Sequence, residues 1–322
     1  MAGDVIVTVT LNAALHVSYA ADDVSPNGVQ PISRPGYRAG GRGVTAARVL
    51  RSFGHDVLAA GLAGGTSGEL IREDLARSGV PTAFTAIRGE SRRVFRFTGP
   101  APAGPVLRFG EPGPYITTEE LGRFAADYRS LLAGAAAVVL CGSLPDGLPP
   151  EIYGTLVTYA VEAGVPVILD AGGEELRHAV SHGPDLVVAE TSSADPGLGA
   201  ALIRMGAAAA AVANGHLVRA VSAEGEWTAR VTPAAGDPPL RAVRGALVAG
   251  LVPGQLLGWS WPDRLRHALA LAVGGLGEAS RLGEAGEWPA AAPTISTSAG
   301  RDHVDLAAYE RLLDAVTVER SP

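Results

Sequence analysis

Short, almost wholly apolar runs along the chain alternate with stretches in which apolar residues recur at every third and fourth position. The runs Val5–Leu11, Val57–Leu62, Ala136–Leu140, Val165–Asp170, Asp185–Val188 and Ala208–Val212 read as strands buried on both faces. The stretches Gly43–Phe53, Ser67–Ser78, Thr118–Leu132, Pro150–Ala163 and Glu174–His182 read as amphipathic helices, with Leu70, Ile71 and Leu75 showing the spacing. This order predicts an α/β protein with a mostly parallel sheet, helices on both faces and ligands beyond the C-terminal strand ends. Two segments break the alternation. Ala21–Tyr37 is polar and turn-rich, and Arg92–Phe109 holds two short alternating runs around a Pro/Gly loop; together they are expected to form a small β lid. Further on, Leu217–Val221 and Glu226–Arg230 flank a hairpin turn. A short helix is read around Gly197–Met205, and Ala246–Gly258 and Trp261–Leu276 as a helix pair interrupted by Pro253 and several glycines.

The bulk numbers narrow the function. At 322 residues, 47% apolar and with a formal net charge of -7, the chain has room for a large core and carries no basic stripe interleaved with aromatics, so a nucleic-acid surface is not expected. No apolar run reaches a membrane span, and the start of the chain shows no export signal, which makes a cytoplasmic location the expectation. Cys141 is the single cysteine, so no internal disulfide and no cysteine-based metal site can form. All 26 basic residues are arginines. A phosphate loop of the G-x-x-x-x-G-K-[ST] type, a protein-kinase strand lysine and a Schiff-base lysine each require an amine that this sequence lacks.

Several glycine turns point toward an anionic ligand. Gly40 and Gly41 precede Arg42 and Thr45 in a segment that turns into a helix, letting backbone approach a ligand closely. Thr10 to His16 follows the first strand, Ser91 to Val94 opens the second lid segment, and Gly142 to Gly147 follows the strand ending at Leu140. Near the C-terminus, Gly245 turns the chain into the apolar run Ala246–Val252, which aims backbone N–H groups and a helix dipole at whatever lies in front.

In order and spacing these segments resemble the ribokinase-like PfkB carbohydrate kinases, most closely the branch of 1-phosphofructokinase and tagatose-6-phosphate kinase. That branch reads T-L-N-P-A-L-D, G-G-K-G-x-N-x-A-R-V-L, T-R-x-N, N-E-P-G-P, G-S-L-P-x-G, N-x-x-E, S-x-G-x-x-G and G-A-G-D. The matching segments here run from Thr10 to His16, Gly40 to Leu50, Ser91 to Val94, Gly110 to Pro114 and Gly142 to Gly147. The resemblance implies a three-layer α/β/α sandwich with a small β lid built from roughly 12–38 and 90–112, within a single domain over 1–322. It also implies a sugar or sugar phosphate as ligand, ATP and Mg2+ as cofactors, and pairing of two copies through the lid. On the substrate side it assigns His16, Gly40, Gly41, Arg42, Thr45, Arg92 and Ser143. His16 and Thr45 replace the family's sugar-holding aspartate and asparagine, Arg42 replaces a lysine, and Arg92 keeps the planar fork that suits a phosphate.

The nucleotide side departs further from the pattern. Glu190 and Ser193 stand at the two polar places of N-x-x-E, and Asn214 with Gly215 retains one glycine of the phosphate turn. Ala242, Val243, Arg244 and Gly245 stand on G-A-G-D, so glycine holds the place of the catalytic aspartate and no catalytic residue is intact. No metal ligand can be named. Asp237 is either that motif displaced or an ordinary turn residue before Pro238 and Pro239. Arg241 and Arg244 are expected to attract phosphate at the helix start. Losing a general base costs a rate factor of about 10² to 10⁴. Three readings follow: a pseudokinase-like binder of sugar phosphate, nucleotide or a protein partner; a working kinase with a substitute base; and a regulatory or structural subunit.

Overall fold

The computed structural model describes residues 4–20, 34–98, 106–191, 197–231, 240–281, 313 and 315–321. Ser193, Asp237 and the lid stretch 21–33 lie outside them. A ten-stranded sheet forms the middle layer. Its strands are β1 (Val5–Thr10), β4 (Val57–Gly64), β5 (Thr82–Ile87), β8 (Ala135–Cys141), β9 (Val167–Asp170), β10 (Leu186–Glu190), β11 (Ala209–Asn214), β12 (Leu217–Ser222), β13 (Gly225–Val231) and β14 (Val316–Arg320). The order is β14-β13-β12-β11-β10-β9-β8-β1-β4-β5. Pairing is parallel from β11 to β5 and antiparallel through β12, β13 and β14. β1 sits between β4 and β8, so the chain winds outward from it in both directions. The crevice at that reversal is where such sheets bind ligands.

Each strand feeds both faces, as period-two geometry requires. On one face Ile6, Val139, Ile168 and Val188 meet α1 (Arg42–Ser52), α2 (Gly65–Arg77), α7 (Arg244–Leu257) and α8 (Trp261–Arg281). On the other, Val7, Val138, Leu140 and Leu169 meet α3 (Thr118–Leu132), α4 (Ile152–Glu162), α5 (Gly173–Ala179) and α6 (Leu198–Met205). The expected three-layer sandwich is therefore present. Among these helices α3 has the clearest sequence start: Thr117 and Glu120 cap one another's backbone in a reciprocal box. α7 runs through Pro253, because tight packing on α8 holds the turn whose hydrogen bond proline removes.

The lid is a separate four-stranded sheet, β3-β2-β6-β7, from β2 (Ala14–Ala20), β3 (Gly36–Gly40), β6 (Arg92–Thr98) and β7 (Val106–Gly110). It is anchored at β3. The N–H of Ala39 donates to Asp74 on α2 at 2.7 Å, Arg48 of α1 donates to the Ala39 carbonyl at 2.8 Å, and Arg48 also pairs with Asp74. These bonds fix the base of the lid to the helix layer, next to Gly40 and Gly41. β5 and β14, both edge strands, were not expected from the sequence pattern. No helix among the described residues is long and apolar enough to cross a membrane.

Glycines separate close packing from open surface. A methyl at Gly250 of α7 would press into the backbone of Ala268 on α8 and lie 3.1 Å from its side chain. Gly122, in the exposed part of α3, has nothing within 4 Å of the same position. Gly250→Leu is expected to lower unfolding free energy by about 1–3 kcal/mol through overpacking. Gly122→Ala is expected to raise it by about 0.5–1 kcal/mol through helix propensity. Urea titration of the two variants checks both signs.

Candidate active site

The strand ends around β1 gather most of the residues singled out from the sequence. Asn12, just past β1, donates to Ser143 Oγ at 3.3 Å and to the Leu144 carbonyl at 3.2 Å, which ties the β8 loop to the β1 loop. Arg92 Nε donates to the Asn12 carbonyl at 3.3 Å and so sits over the same loop. Gly41, at φ 127, starts α1 against Thr10, where any side chain would strike the threonine methyl at 2.7 Å. The ring of His16 lies against Gly40, whose missing side chain makes room for it. His16, Gly40 and Arg92, at the base of the lid strands, thus lie together with Gly41 and Ser143 at one end of the crevice.

That end is strongly cationic. His16 keeps an exposed edge, yet loss of solvent around its ring, followed by the charges of Arg92, Arg38, Arg48 and Arg108, pushes its pKa from 6.5 down to about 4. Arg38 and His16 are cross-strand partners on β3 and β2, and Arg108 pairs with Arg96 between β7 and β6. An imidazole that stays neutral among guanidiniums offers hydrogen bonds without adding repulsion. Sequence reading missed Arg38, Arg48 and Arg108; the period-two alternation of β3 and β7 was the signal for Arg38 and Arg108, and Arg48 lies on α1.

The other end centres on Arg244. Its side chain is buried and turns inward from the first residue of α7. Nε donates to Asp170 Oδ1 at 2.5 Å, one terminal nitrogen pairs with the same carboxylate and reaches the carbonyls of Ala171 at 3.1 Å and Val188 at 3.3 Å, and the other meets Glu190 Oε2 at 3.3 Å. Arg42 Nε lies 3.1 Å from Asp170 Oδ2. Asp170, fully buried at the end of β9, has its pKa raised by burial first, against the lowering pull of Arg244 and Arg42. Sequence reading did not single it out; an acid ending an otherwise apolar strand was the available signal.

This geometry corrects one expectation. Arg244 does not stand at the helix start ready for phosphate, because its fork is already engaged by two carboxylates and two carbonyls. Gly245 itself has no room for a side chain: a Cβ there would lie 2.7 Å from the Arg42 carbonyl oxygen and 2.8 Å from Thr45 Cβ. The Gly215 turn, at φ 59, is joined to the α7 entry by the bond from Leu240 N–H to the Gly215 carbonyl at 2.9 Å, with Asn214 ending β11 beside it. Glu190, Asn214, Gly215, Arg244 and Gly245 are therefore neighbours, and Ala242 lies in the one-turn helix Leu240–Val243 that leads in. No group of three or more metal-ligating side chains occurs among the described residues.

The His16 environment has a consequence for pH. Above pH 6.5 His16 is neutral in folded and unfolded chains alike; between 6.5 and about 4 the unfolded chain takes up a proton that the folded one refuses, so stability falls across that window. His267, pushed down to about 4 by burial and then His55, acts in the same direction. His16→Gln should flatten part of the fall in urea midpoint between pH 6.5 and 4, and an unchanged slope would show that the imidazole does not carry it.

With this geometry established, comparison with known proteins gives the family. Residues 10–222 match the model of the pfkB family carbohydrate kinases. Tagatose-6-phosphate kinases from two Staphylococcus epidermidis strains are 34% identical over 175 residues, covering 54% of this chain and 56% of theirs, so the match spans about half the length of these curated relatives. Among solved structures, a 1-phosphofructokinase candidate from Thermotoga maritima superposes with a TM-score of 0.79 at 23% identity, covering 99% of this chain and 100% of its own. Phosphofructokinase-2 from Escherichia coli in complex with fructose-6-phosphate gives 0.76 at 22% identity, covering 86% and 94%. Fold, motif order and family match agree, and the chain belongs to the pfkB family of carbohydrate kinases.

Proposed function

We propose that this chain is a single-domain, sugar-phosphate-binding member of the pfkB family in which phosphoryl transfer is weak or silent. The observation that carries the reading is Arg244, seated between Asp170 and Glu190 at the entry of α7 while Gly245 lies against Arg42 and Thr45. A general base must reach the acceptor hydroxyl within about 2.6–3.2 Å or through one water. Here the family's place for it has neither a carboxylate nor space for one. The lid end keeps what phosphate recognition needs, a neutral imidazole beside guanidiniums, with Arg92 as the intended phosphate contact. Tagatose-6-phosphate, fructose-6-phosphate and fructose-1-phosphate are the ligands to try first. Pairing of two copies through the lid is supported by Tyr37, Leu107 and Phe109, which it leaves exposed.

A second reading rests on Glu190. Its carboxylate keeps 34% exposure beside the α7 entry, and it is the group through which a working kinase would replace the lost base. Turnover of Mg-ATP with a sugar phosphate, abolished by Glu190→Gln while binding of that sugar phosphate persists, would favour it over the silent site.

Three outcomes are expected. Wild-type protein should show no sugar-phosphate-dependent ADP release with Mg-ATP, and turnover at rates usual for enzymes, about 1 per second or faster, would overturn the proposal. Gly245→Asp alone should stay inactive and lose stability, because its Cβ is placed 2.7 Å from the Arg42 carbonyl. Arg244→Gly with Gly245→Asp empties the cage around Asp170 and adds an acid at the α7 entry, and ADP release measured on that double variant tests whether transfer returns. Arg92→Ala should weaken binding of the preferred sugar phosphate about tenfold or more, as loss of a charge-assisted contact of about 1.5–3 kcal/mol implies, measured by titration calorimetry.

A further inference from the structure

The family's chemistry brings a divalent cation with the nucleotide, and the residues of this chain do not fit one. Around the guanidinium of Arg244 the chain arranges only oxygen: the carboxylates of Asp170 and Glu190 and the carbonyls of Ala171 and Val188, between 2.5 and 3.3 Å where the bonds are of ordinary length. An all-oxygen set with two carboxylates is what hard dications such as Mg2+, Ca2+ or Mn2+ select. We propose that Arg244 is a tethered cation occupying this oxygen cage, so that the native centre is closed to divalent metal and whatever it binds is bound without one.

Two further observations support the assignment. Charge is already balanced: Asp170 and Glu190 face Arg244 and Arg42, two carboxylates against two guanidiniums, so a dication added beside them would leave a buried excess of two positive charges. Asp170 Oδ2 is buried without a hydrogen bond although Arg42 Nε lies 3.1 Å away, so the cage retains a lone pair that the fixed guanidinium geometry does not use. A spherical ion in place of the planar fork could take it. Arg244 stands at the first residue of α7, so a single substitution there removes the tethered cation without touching the four oxygen partners.

The inference goes beyond the functional proposal, and the two fail separately: ADP release by the wild type bears on transfer, whereas cation uptake needs no nucleotide or sugar. The experiment is Mn2+ binding followed by electron paramagnetic resonance, with thermal shifts in millimolar Mg2+, Ca2+ and Mn2+. Wild type and Arg244→Lys, which keeps a tethered charge, should bind no Mn2+ and show unchanged Tm. Arg244→Ala should melt lower than wild type, regain Tm when a dication is added, and bind Mn2+. Adding Glu190→Gln to Arg244→Ala should weaken that uptake about tenfold or more. Mn2+ binding by the wild type that Glu190→Gln diminishes would overturn the proposal, as would an Arg244→Ala protein that gains no cation binding or stays unfolded with Mn2+ present.

Discussion

A buried carboxylate organises this centre. Asp170 ends a strand in the middle of the sheet with no exposure, and an ionised acid there is tolerable only if positive charge meets it at close range. Arg244 and Arg42 supply that charge from two different helices, α7 and α1. The same guanidinium that satisfies Asp170 reaches Val188 and Glu190 on β10, so one side chain joins β9, β10 and the start of α7. Removing it would strand a charge in the core, which is usually more costly than never having placed the pair there.

Two features meet at the entry of α7 on this side of the crevice. Arg244 turns inward toward β9 and β10, and the next residue, Gly245, lies so close to Arg42 and Thr45 of α1 that a side chain there would strike them. With Gly245 packed on Arg42 and Thr45, the helix start presents main chain rather than a carboxylate to the crevice. Emptying the cage at Arg244 and placing an acid at Gly245 are therefore separate changes, and as neighbours their effects are not expected to add independently.

Much of the fold was legible because the sheet is buried on both faces. Val138, Val139 and Leu140 read as strand from composition alone, and the three-and-four spacing of Ile71 and Leu75 fixed the face of α2. Edge strands escaped for the opposite reason: Thr82–Ile87 and Val316–Arg320 are partly exposed, so their pattern is shared with loops. At the candidate site, motif spacing singled out Gly40, Gly41, Arg92 and Gly245. What it could not give is side-chain direction. Arg244 reads as a phosphate contact in the sequence, and only the position of Asp170, 74 residues away along the chain, shows that it points inward.

The two ends of the crevice differ in character. At the lid end His16, held neutral, offers polar atoms, and the arginines around it maintain a field that favours an anion. At the α7 end Arg244 fills volume and neutralises acids, which consumes rather than creates binding capacity. A well-satisfied internal cation thus fills the α7 end, opposite a lid whose arginines favour negative charge.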